Sequence, residues 1–387
     1  MNIAFITPEY ITEKGFDGGL SNYIHKISLA LSERGHNIFV IVSSDKNEQL
    51  VSDGITIIRV NISTNFVKIT IPGPFSLIIQ SWKLNKTLNK LNKNINFDII
   101  QFTSYTAVGL FASKHIKTIS RISSYQPLWD KAYGREASFS SKINSMLELY
   151  ALQRTNKIYG PSQVIADVIT KKINKPVEVI ESPLPSKIKG NSIIYNDSIK
   201  NKKYLLFFGS IGVLKGVKEI GEIIFELLKN NTDLYFVFIG KDMGYNGKPM
   251  LNYIWDMAEE NRGRCLYLGS LRQTYLQVII KNAFAVVLPS RIDNLPNTCT
   301  ESMALGKIVI GTRGASFDQL IEDTQNGYLC EIADSNSLLS AIEKVLLLSP
   351  EQKQLIEANA KKTVTRLEMS AIAEKTEQLF KNVIGKQ

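Results

Sequence analysis

The chain has 387 residues, of which 44% are hydrophobic and 21% charged, a composition typical of a soluble globular protein long enough for two domains. It contains no run of 18 apolar residues, and its first residues, MNIAFITPEY, lack a basic leader, so we expect neither a membrane-spanning helix nor a signal peptide. Three separated cysteines and only three histidines argue against a disulfide framework or a soft-metal site.

The net charge of +10 is concentrated in the first half, where residues 1–185 carry 21 Lys and Arg against 14 Asp and Glu. A basic surface attracts nucleic acids, anionic lipids or phosphorylated small molecules. The sequence has neither an aromatic ribonucleoprotein motif nor a zinc-finger spacing, and we therefore expect no nucleic-acid partner.

In chain order, the first half alternates apolar strands with amphipathic helices. A strand at Ile3–Thr7 is followed by a helix at Ser21–Arg34, which Gly35 ends. Further elements of this half are strands at Asn37–Val42, Ile57–Val60, Asp98–Phe102 and Thr118–Ile122, and a helix at Phe75–Lys93. Alternation of this kind predicts a parallel sheet covered by helices.

The segment Glu181–Lys203 is rich in Pro, Ser, Asn and Lys and lacks periodicity, which predicts an interdomain linker. The alternation then resumes, with strands at Tyr204–Gly209, Leu234–Gly240, Cys265–Gly269, Phe284–Pro289, Lys307–Gly311 and Tyr328–Ile332. The predicted helices are Val217–Lys229, Met250–Glu260, Leu276–Asn282, Thr298–Leu305, Ser335–Leu348, Pro350–Val364 and Met369–Val383. We predict two doubly wound, Rossmann-like α/β domains that face a central cleft, with ligands at strand-to-helix turns.

The turn within Pro289–Thr312, PSRIDNLPNTCTESMALGKIVIGT, has two interpretations. Thr298-x-x-Glu301 fits a capping box, with Asp293 as a turn residue. Alternatively, a helix that begins at Thr298 offers backbone N–H groups and a positive dipole end to a phosphate. Glu301 would then accept hydrogen bonds from a ribose diol, and Asp293 from a second sugar.

Two further turns could contact phosphate. In LLFFGSIGVLKGVKEI, Gly209 and Gly216 permit close backbone approach, and Lys215 adds a positive charge. In GFDGGLSNYIHKI, the pair Gly18–Gly19 precedes a helix; it either forms a flexible loop capped by Ser21 or closes on a pyrophosphate. Neither turn is a Walker loop or the G-x-G-x-x-G fingerprint, which argues against a nicotinamide dehydrogenase.

Together these features resemble the retaining glycosyltransferases of family 4, which have the two-domain GT-B architecture, over essentially the whole chain. The most specific motif is the E-x7-E signature, present here as Asp293-x7-Glu301, and the segment GASFDQLIEDTQNGYL also matches. The resemblance is to members of the family of the bacterial surface-polysaccharide type. It implies an acceptor-side domain at 1–185 and a nucleotide-sugar domain at 186–365. A C-terminal helix at 366–387 would cross back to the first domain.

The resemblance also implies the role of each donor-site residue. Lys215 would hold the diphosphate, Glu301 the ribose and Asp293 the donor sugar, and these three form the implied catalytic set. Backbone groups would surround the sugar and phosphates, and residues after Gly269 would pair with the base. The implied donor-binding set is Gly18, Gly19, Gly209, Ser210, Lys215, Ser270, Leu271, Asp293, Asn294, Leu295, Pro296, Asn297, Thr298 and Glu301.

Three positions depart from the family pattern. The first acidic residue of the signature is Asp, and Ser210 stands where an Arg is expected, which leaves more of the charge neutralisation to Lys215. The acceptor-side loop, SRISSYQPLW, lacks the His of many relatives. Our candidates for acceptor contacts in this loop are Arg121, Ser124 and Tyr125.

The resemblance implies transfer of a hexose-type sugar, with retention, from a nucleotide-diphosphate sugar, with a UDP-sugar favoured, to a sugar hydroxyl. An undecaprenyl-linked sugar is one candidate acceptor, and O-antigen or capsule synthesis the expected pathway. The departing phosphate would take the acceptor proton, so we expect no metal and no other cofactor. A nucleotide-sugar 2-epimerase and a non-enzymatic two-lobed sugar-binding protein remain alternatives.

The segment Pro74–Asn94 mixes apolar residues with four lysines and also has two interpretations. It could lie on an anionic bilayer, which would place a cytoplasmic enzyme peripherally on the inner face of the plasma membrane. Alternatively, it is a helix with a buried apolar stripe and a solvated lysine face.

Overall fold

The structure is a computed structural model that describes residues 1–13, 18–63, 73–184 and 190–385. It divides into two compact units: unit 1 comprises Met1–Pro183 with Leu367–Gln387, and unit 2 comprises Leu184–Arg366. Each unit is built on its own largely parallel sheet, so the predicted pair of α/β domains is confirmed. The predicted boundary between residues 185 and 186 lies outside the described residues.

Unit 1 contains one eight-stranded sheet, ordered β3-β4-β2-β1-β5-β6-β7-β8 and parallel except for the β3–β4 pair. Its strands are β1 (Asn2–Thr7), β2 (Asn37–Ser44), β3 (Glu48–Ser52), β4 (Ile55–Asn61), β5 (Ile99–Thr103), β6 (Thr118–Arg121), β7 (Lys157–Gly160) and β8 (Val177–Val179). The central strand β1 is an uninterrupted apolar run because both of its faces are covered, and Ile3 and Phe5 have no exposed surface.

The helices of unit 1 alternate with these strands. They are α1 (Gly19–Glu33), α2 (Pro74–Ile95), α3 (Gln126–Tyr133), α4 (Phe139–Gln153) and α5 (Gln163–Ile173). In α1, Ile24, Ile27 and Leu31 have no exposed surface because their spacing places them on one helical face.

Unit 2 contains a six-stranded, all-parallel sheet in the order β11-β10-β9-β12-β13-β14. Its elements are α6 (Ile193–Ser198), β9 (Lys203–Phe208), α7 (Val217–Asn230), β10 (Leu234–Ile239), α8 (Met250–Ala258), β11 (Cys265–Tyr267), α9 (Gln273–Asn282), β12 (Ala285–Val287), α10 (Asn297–Ala304), β13 (Val309–Thr312), β14 (Tyr328–Cys330), α11 (Ser335–Leu346) and α12 (Pro350–Thr363). Part of the predicted linker is therefore structured, since α6 forms within it and packs against α9.

The last helix, α13 (Met369–Ile384), belongs to unit 1 and packs against α1. Its Ile372 and Phe380 have no exposed surface. Glu377 of α13 accepts a hydrogen bond from Arg34 Nε at 2.6 Å and pairs with Lys381 at 2.8 Å. These cations, first Lys381 and then Arg34, lower the pKa of Glu377 to about 2, so this carboxylate stays ionised at neutral pH.

Candidate active site

The candidate site of unit 2 lies where its strand order reverses. Strands β9 and β12 are neighbours, with Leu205 opposite Ala285, although the chain builds β10 and β11 between them. The loops after β9 and β12 therefore leave the same edge of the sheet side by side. Such a switch point is where open α/β sheets bind ligands.

Gly216 allows these two loops to touch. Its φ is +73°, and a Cβ there would lie 1.9 Å from the carbonyl oxygen of Pro289, so no larger residue fits without movement of the backbone. The backbone N–H of Arg291 also donates to the Leu214 carbonyl at 2.9 Å. The turn that carries Lys215 is thus fixed against the loop that carries Asp293.

Lys215 and Asp293 form an ion pair across these loops. Lys215 Nζ lies 2.5 Å from Asp293 Oδ2, and the side chains are 26% and 15% exposed. The structure therefore brings together two residues that are 78 positions apart and that the sequence assigned to the diphosphate and the donor sugar. Both side chains keep some solvent exposure, so an anionic ligand that reached Lys215 would compete with Asp293 for it.

The capping-box interpretation of Thr298 and Glu301 is wrong. Helix α10 begins at Asn297 with Pro296 at the N-cap and no side-chain cap, so Thr298 is already inside the helix. Glu301 Oε2 instead accepts a hydrogen bond from Gln273 Nε2 at 3.1 Å. The N-cap residue, Pro296, therefore offers no side-chain acceptor to the first turn of α10.

The remaining predicted donor residues of unit 2 surround this helix start. A Cβ at Gly209 would lie 3.9 Å from Thr298 Cγ2, which places the end of β9 against the first turn of α10. Ser270 and Leu271 precede Gln273, which donates to Glu301, so the loop predicted to contact the base lies next to the carboxylate predicted to hold the ribose. Leu295 and Pro296 are buried, Ser210 is exposed, and Asn294 and Asn297 are partly buried.

A buried ion pair that the sequence analysis missed supports the same loop. The guanidinium of Arg291 donates through Nε to Glu219 Oε1 at 2.9 Å, and Glu219 is 2% exposed. Glu219 lies in the first turn of α7, directly after the Lys215 turn. Arg291 thereby connects the loop that carries Asp293 to the first turn of α7.

In unit 1, an acidic side chain occupies the helix start predicted to meet the pyrophosphate. Gly18 is the N-cap of α1 and Gly19 its first residue, while Gly15–Asp17 of the same loop lie outside the described residues. Glu9 Oε1 accepts from the Ser21 backbone N–H at 3.2 Å. Burial raises the pKa of Glu9, and the Ser21 N–H partly offsets this. An anion that approached Gly19 would have to displace this carboxylate.

Two family descriptions match the chain, one for each unit. Residues 17–184 match Glycosyltransferase Family 4, and residues 193–362 match Glycosyl transferases group 1. The chain consists of a family 4 glycosyltransferase domain followed by a group 1 glycosyl transferase domain. The Lys215–Asp293 pair lies in the group 1 domain.

Two curated relatives each match part of this chain with part of their own sequence. An uncharacterized glycosyltransferase of Methanocaldococcus jannaschii is 26% identical over 212 residues, 55% of this chain and 55% of that protein. An alpha-D-kanosaminyltransferase of Streptomyces kanamyceticus is 26% identical over 162 residues, 42% of this chain and 41% of that protein. The matched part thus spans about half the length of these relatives.

Solved structures show the same fold over nearly the whole chain. Sucrose-phosphate synthase from Thermosynechococcus elongatus superposes with a TM-score of 0.79 at 15% identity, covering 99% of both chains. HepE from Anabaena, in complex with UDP and glucose, superposes with a TM-score of 0.71 at 16% identity, covering 98% of this chain and 99% of that one. At these identities the likeness establishes the fold alone.

The three predicted acceptor residues of the family 4 domain differ in their exposure to solvent. Arg121 is 4% exposed; its Cζ lies 3.4 Å from the centroid of the Tyr23 ring, and its Nη2 donates to Ser182 Oγ at 2.9 Å. This burial argues against a direct acceptor contact for Arg121. Tyr125 is 6% exposed, whereas Ser124 is half-buried and lines a cavity.

Neither a metal cluster nor a membrane span emerges from the described part of either domain. No group of three or more His, Cys, Asp and Glu side chains there could hold a metal ion. None of the described helices combines the length and apolar character needed to cross a bilayer.

Proposed function

We propose that this chain transfers a hexose-type sugar from a nucleotide-diphosphate sugar, with a UDP-sugar favoured, to a sugar hydroxyl, with retention at the anomeric carbon. The observation that carries the proposal is the meeting of Lys215, Asp293 and the side-chain-uncapped start of α10 at the switch point of the group 1 domain. A lysine beside a helix N-terminus is suited to a diphosphate, and a nearby carboxylate to sugar hydroxyls.

In the proposed reaction the diphosphate competes with Asp293 for Lys215. Lys215 then neutralises the charge that the leaving phosphate gains, and the first-turn N–H groups of α10 add a fixed dipole. Asp293, released from the lysine, accepts hydrogen bonds from the donor sugar and orients it. The leaving phosphate takes the acceptor proton, so no protein base and no metal is required.

Glu301 is proposed to hold the ribose through its two hydroxyls. Its Oε2 accepts a hydrogen bond from Gln273, which orients the carboxylate. Ser270 and Leu271, three and two residues before Gln273, are proposed to contact the base through their backbone.

The donor assignment is tested by thermal unfolding with UDP, ADP, GDP and their sugars. Ligand that binds only the folded state stabilises it by RT ln(1 + [L]/Kd), about 2.7 kcal/mol at 100 Kd. We expect selective stabilisation by the uridine series, and loss of it in Lys215→Ala but not in Lys229→Ala. No stabilisation by any nucleotide would reject the donor site. NMR of the product formed early in the reaction tests retention at the anomeric carbon. Turnover in excess EDTA tests whether the reaction proceeds without a metal ion.

We further propose that the acceptor is lipid-linked, that the enzyme acts in O-antigen or capsule synthesis, and that α2 rests peripherally on the inner face of the plasma membrane. Phe75 and Trp82 on α2 are 81% and 49% exposed. Lys86 and Lys93 follow at spacings of four and seven, so the four side chains share one face, with Lys86 Nζ 4.8 Å from the Trp82 ring centroid.

The membrane interpretation holds for this face only. Leu77 lies in the same segment, but it is 2% exposed and belongs to the core, as the buried-stripe alternative predicts. Flotation with anionic liposomes tests the exposed face. We expect binding at low salt that Phe75→Ser with Trp82→Ser abolishes, whereas Leu347→Ser with Leu355→Ser, exposed positions of unit 2, leave it unchanged. Absence of binding by the unchanged chain would end the idea.

A further inference from the structure

The family 4 domain contains a polar cavity that the donor site does not use. It has a volume of about 290 Å³ and lies among the start of α2, the turn at Tyr105–Ala107, the residues before α3, and α4. Of the described side chains that line it, all except Leu77 are polar and five are serines. Among the described residues that line it, Glu148 of α4 is the only acidic or basic side chain.

Glu148 is held inside this cavity with acceptor capacity to spare. It is 8% exposed, and its Oε1 accepts the Thr106 backbone N–H at 3.0 Å. A carboxylate offers about four acceptor positions, so one backbone donor does not saturate it. Burial raises the pKa of Glu148 to about 7, with the Thr106 N–H partly offsetting the rise, and no cation of the described chain contributes.

The turn that faces Glu148 is strained and incompletely bonded. Thr106 and Ala107 have φ values of +61° and +51°, a left-handed conformation that costs a residue other than glycine about 1–2 kcal/mol. The Thr106 hydroxyl is buried, the residue being 6% exposed, and it has no hydrogen-bond partner among the described residues. Strained backbone and unpaired buried polar groups recur where a ligand completes the bonding.

The chemistry of the lining selects one class of ligand. Hydroxyls of Ser124 and Ser145 and the amide of Asn144 suit a partner that both donates and accepts, while the Tyr105 ring, 40% exposed, offers a face for stacking. Phosphates and carboxylates would meet Glu148 with no compensating cation among the lining residues that the structure describes. The cavity volume lies at the small end of the range for ligand pockets, which starts at about 300 Å³.

We propose that this cavity is a subsite for one neutral, hydroxyl-rich monosaccharide unit. The proposal rests on the proposed function in one respect, that the unit belongs to the sugar acceptor. It connects the predicted acceptor residue Ser124 with Glu148, to which the sequence analysis gave no role. The side chain of Glu148 accepts hydrogen bonds from sugar hydroxyls, and the Thr106 hydroxyl gains its missing partner.

The test is direct binding to the full chain without nucleotide. Calorimetry or ligand-observed NMR would use methyl glycosides of glucose, galactose, mannose and N-acetylglucosamine, with glucuronate, glucose 6-phosphate and glucosamine as charged probes. At about pH 8, above the pKa of about 7, Glu148 is largely ionised. Under this condition we expect at least one neutral glycoside to bind, and Glu148→Gln to weaken this binding about tenfold through loss of a charge-assisted hydrogen bond. Glu374→Gln, an exposed glutamate of α13, serves as the matched control and should bind as the unchanged chain does.

Several outcomes would overturn the inference. They are no binding by any neutral glycoside, tighter binding of a charged probe, or equal binding by the unchanged chain and its cavity variants. If Glu148→Gln does not fold, Ser124→Ala, which removes one half-buried hydroxyl, carries the test with an expected weakening of severalfold. Nucleotide stabilisation without glycoside binding would reject this inference alone, and glycoside binding without nucleotide stabilisation would reject the donor site alone.

Discussion

Substitution of Gly216 by alanine tests the geometry on which the donor site depends. An added Cβ would lie 1.9 Å from the Pro289 carbonyl oxygen and 2.6 Å from its carbonyl carbon, both backbone atoms that cannot rotate away. The φ of +73° adds a left-handed penalty of about 1–2 kcal/mol. Forcing apart packed groups costs a further 1–3 kcal/mol, roughly, so we expect a total destabilisation of about 2–5 kcal/mol.

Gly247→Ala separates the two contributions. Gly247 has a φ of +77°, but a Cβ there would meet no atom within 4 Å. The control therefore carries the conformational penalty without the overlap. The free energy of unfolding of Gly216→Ala should be about 1–3 kcal/mol lower than that of Gly247→Ala. For a domain of this size, each kcal/mol corresponds to a change of about 2–4 °C in Tm.

The assay is denaturant and thermal unfolding of both variants, together with their affinity for UDP. We expect Gly216→Ala to weaken nucleotide binding, because the turn carrying Lys215 can no longer rest against the loop carrying Asp293. Gly247→Ala should bind as the unchanged chain does. Equal stabilities and equal affinities of the two variants would refute the close approach of the two loops.

Three further predictions concern single side chains. Lys215→Ala should lower turnover by about 10²–10³, while Lys229→Ala on the exposed end of α7 should not; survival of activity within tenfold would contradict the assignment. Glu301→Gln should mainly weaken donor binding, about tenfold, relative to Glu226→Gln, and unchanged donor affinity would exclude the ribose role. The pKa of Glu148 is raised from 4.5 to about 7, so the buried carboxyl lowers the free energy of unfolding increasingly as the pH rises from 4.5 to 7. The stability of Glu148→Gln relative to the unchanged chain should therefore rise over that window by up to about 3 kcal/mol. A stability difference that does not depend on pH would refute the shift.

The long apolar strands and most helices of unit 2 follow from the sequence because each has enough residues to show its period. Strand β3 was not predicted because it lies at the edge of the sheet and begins with two exposed polar side chains, Glu48 and Gln49. The Asp53–Gly54 pair that follows, with φ values of +52° and +74°, is the signal that would have revealed its hairpin. Strand β8 has only three residues, too few for alternation to be visible.

The candidate site was predictable as a set of residues but not as a set of contacts. The family resemblance implied that Lys215 and Asp293 belong to one site, yet their mutual ion pair depends on the order of strands in the sheet. Arg121 shows the same limit, since the Tyr23 ring that covers it lies 98 positions earlier and on another element. Glu148 lies within an ordinary helical pattern, and only the fold brings it to the strained turn at Thr106.

The assignment of α13 to unit 1 has a consequence for biosynthesis. The ribosome makes the whole of unit 2 before it makes the helix that covers α1, so the nascent first domain leaves the exit tunnel with an apolar flank uncovered. During this interval the flank is open to chaperones or to other nascent chains. A truncation before Met369 would make that transient state permanent, and we expect such a product to be found in inclusion bodies.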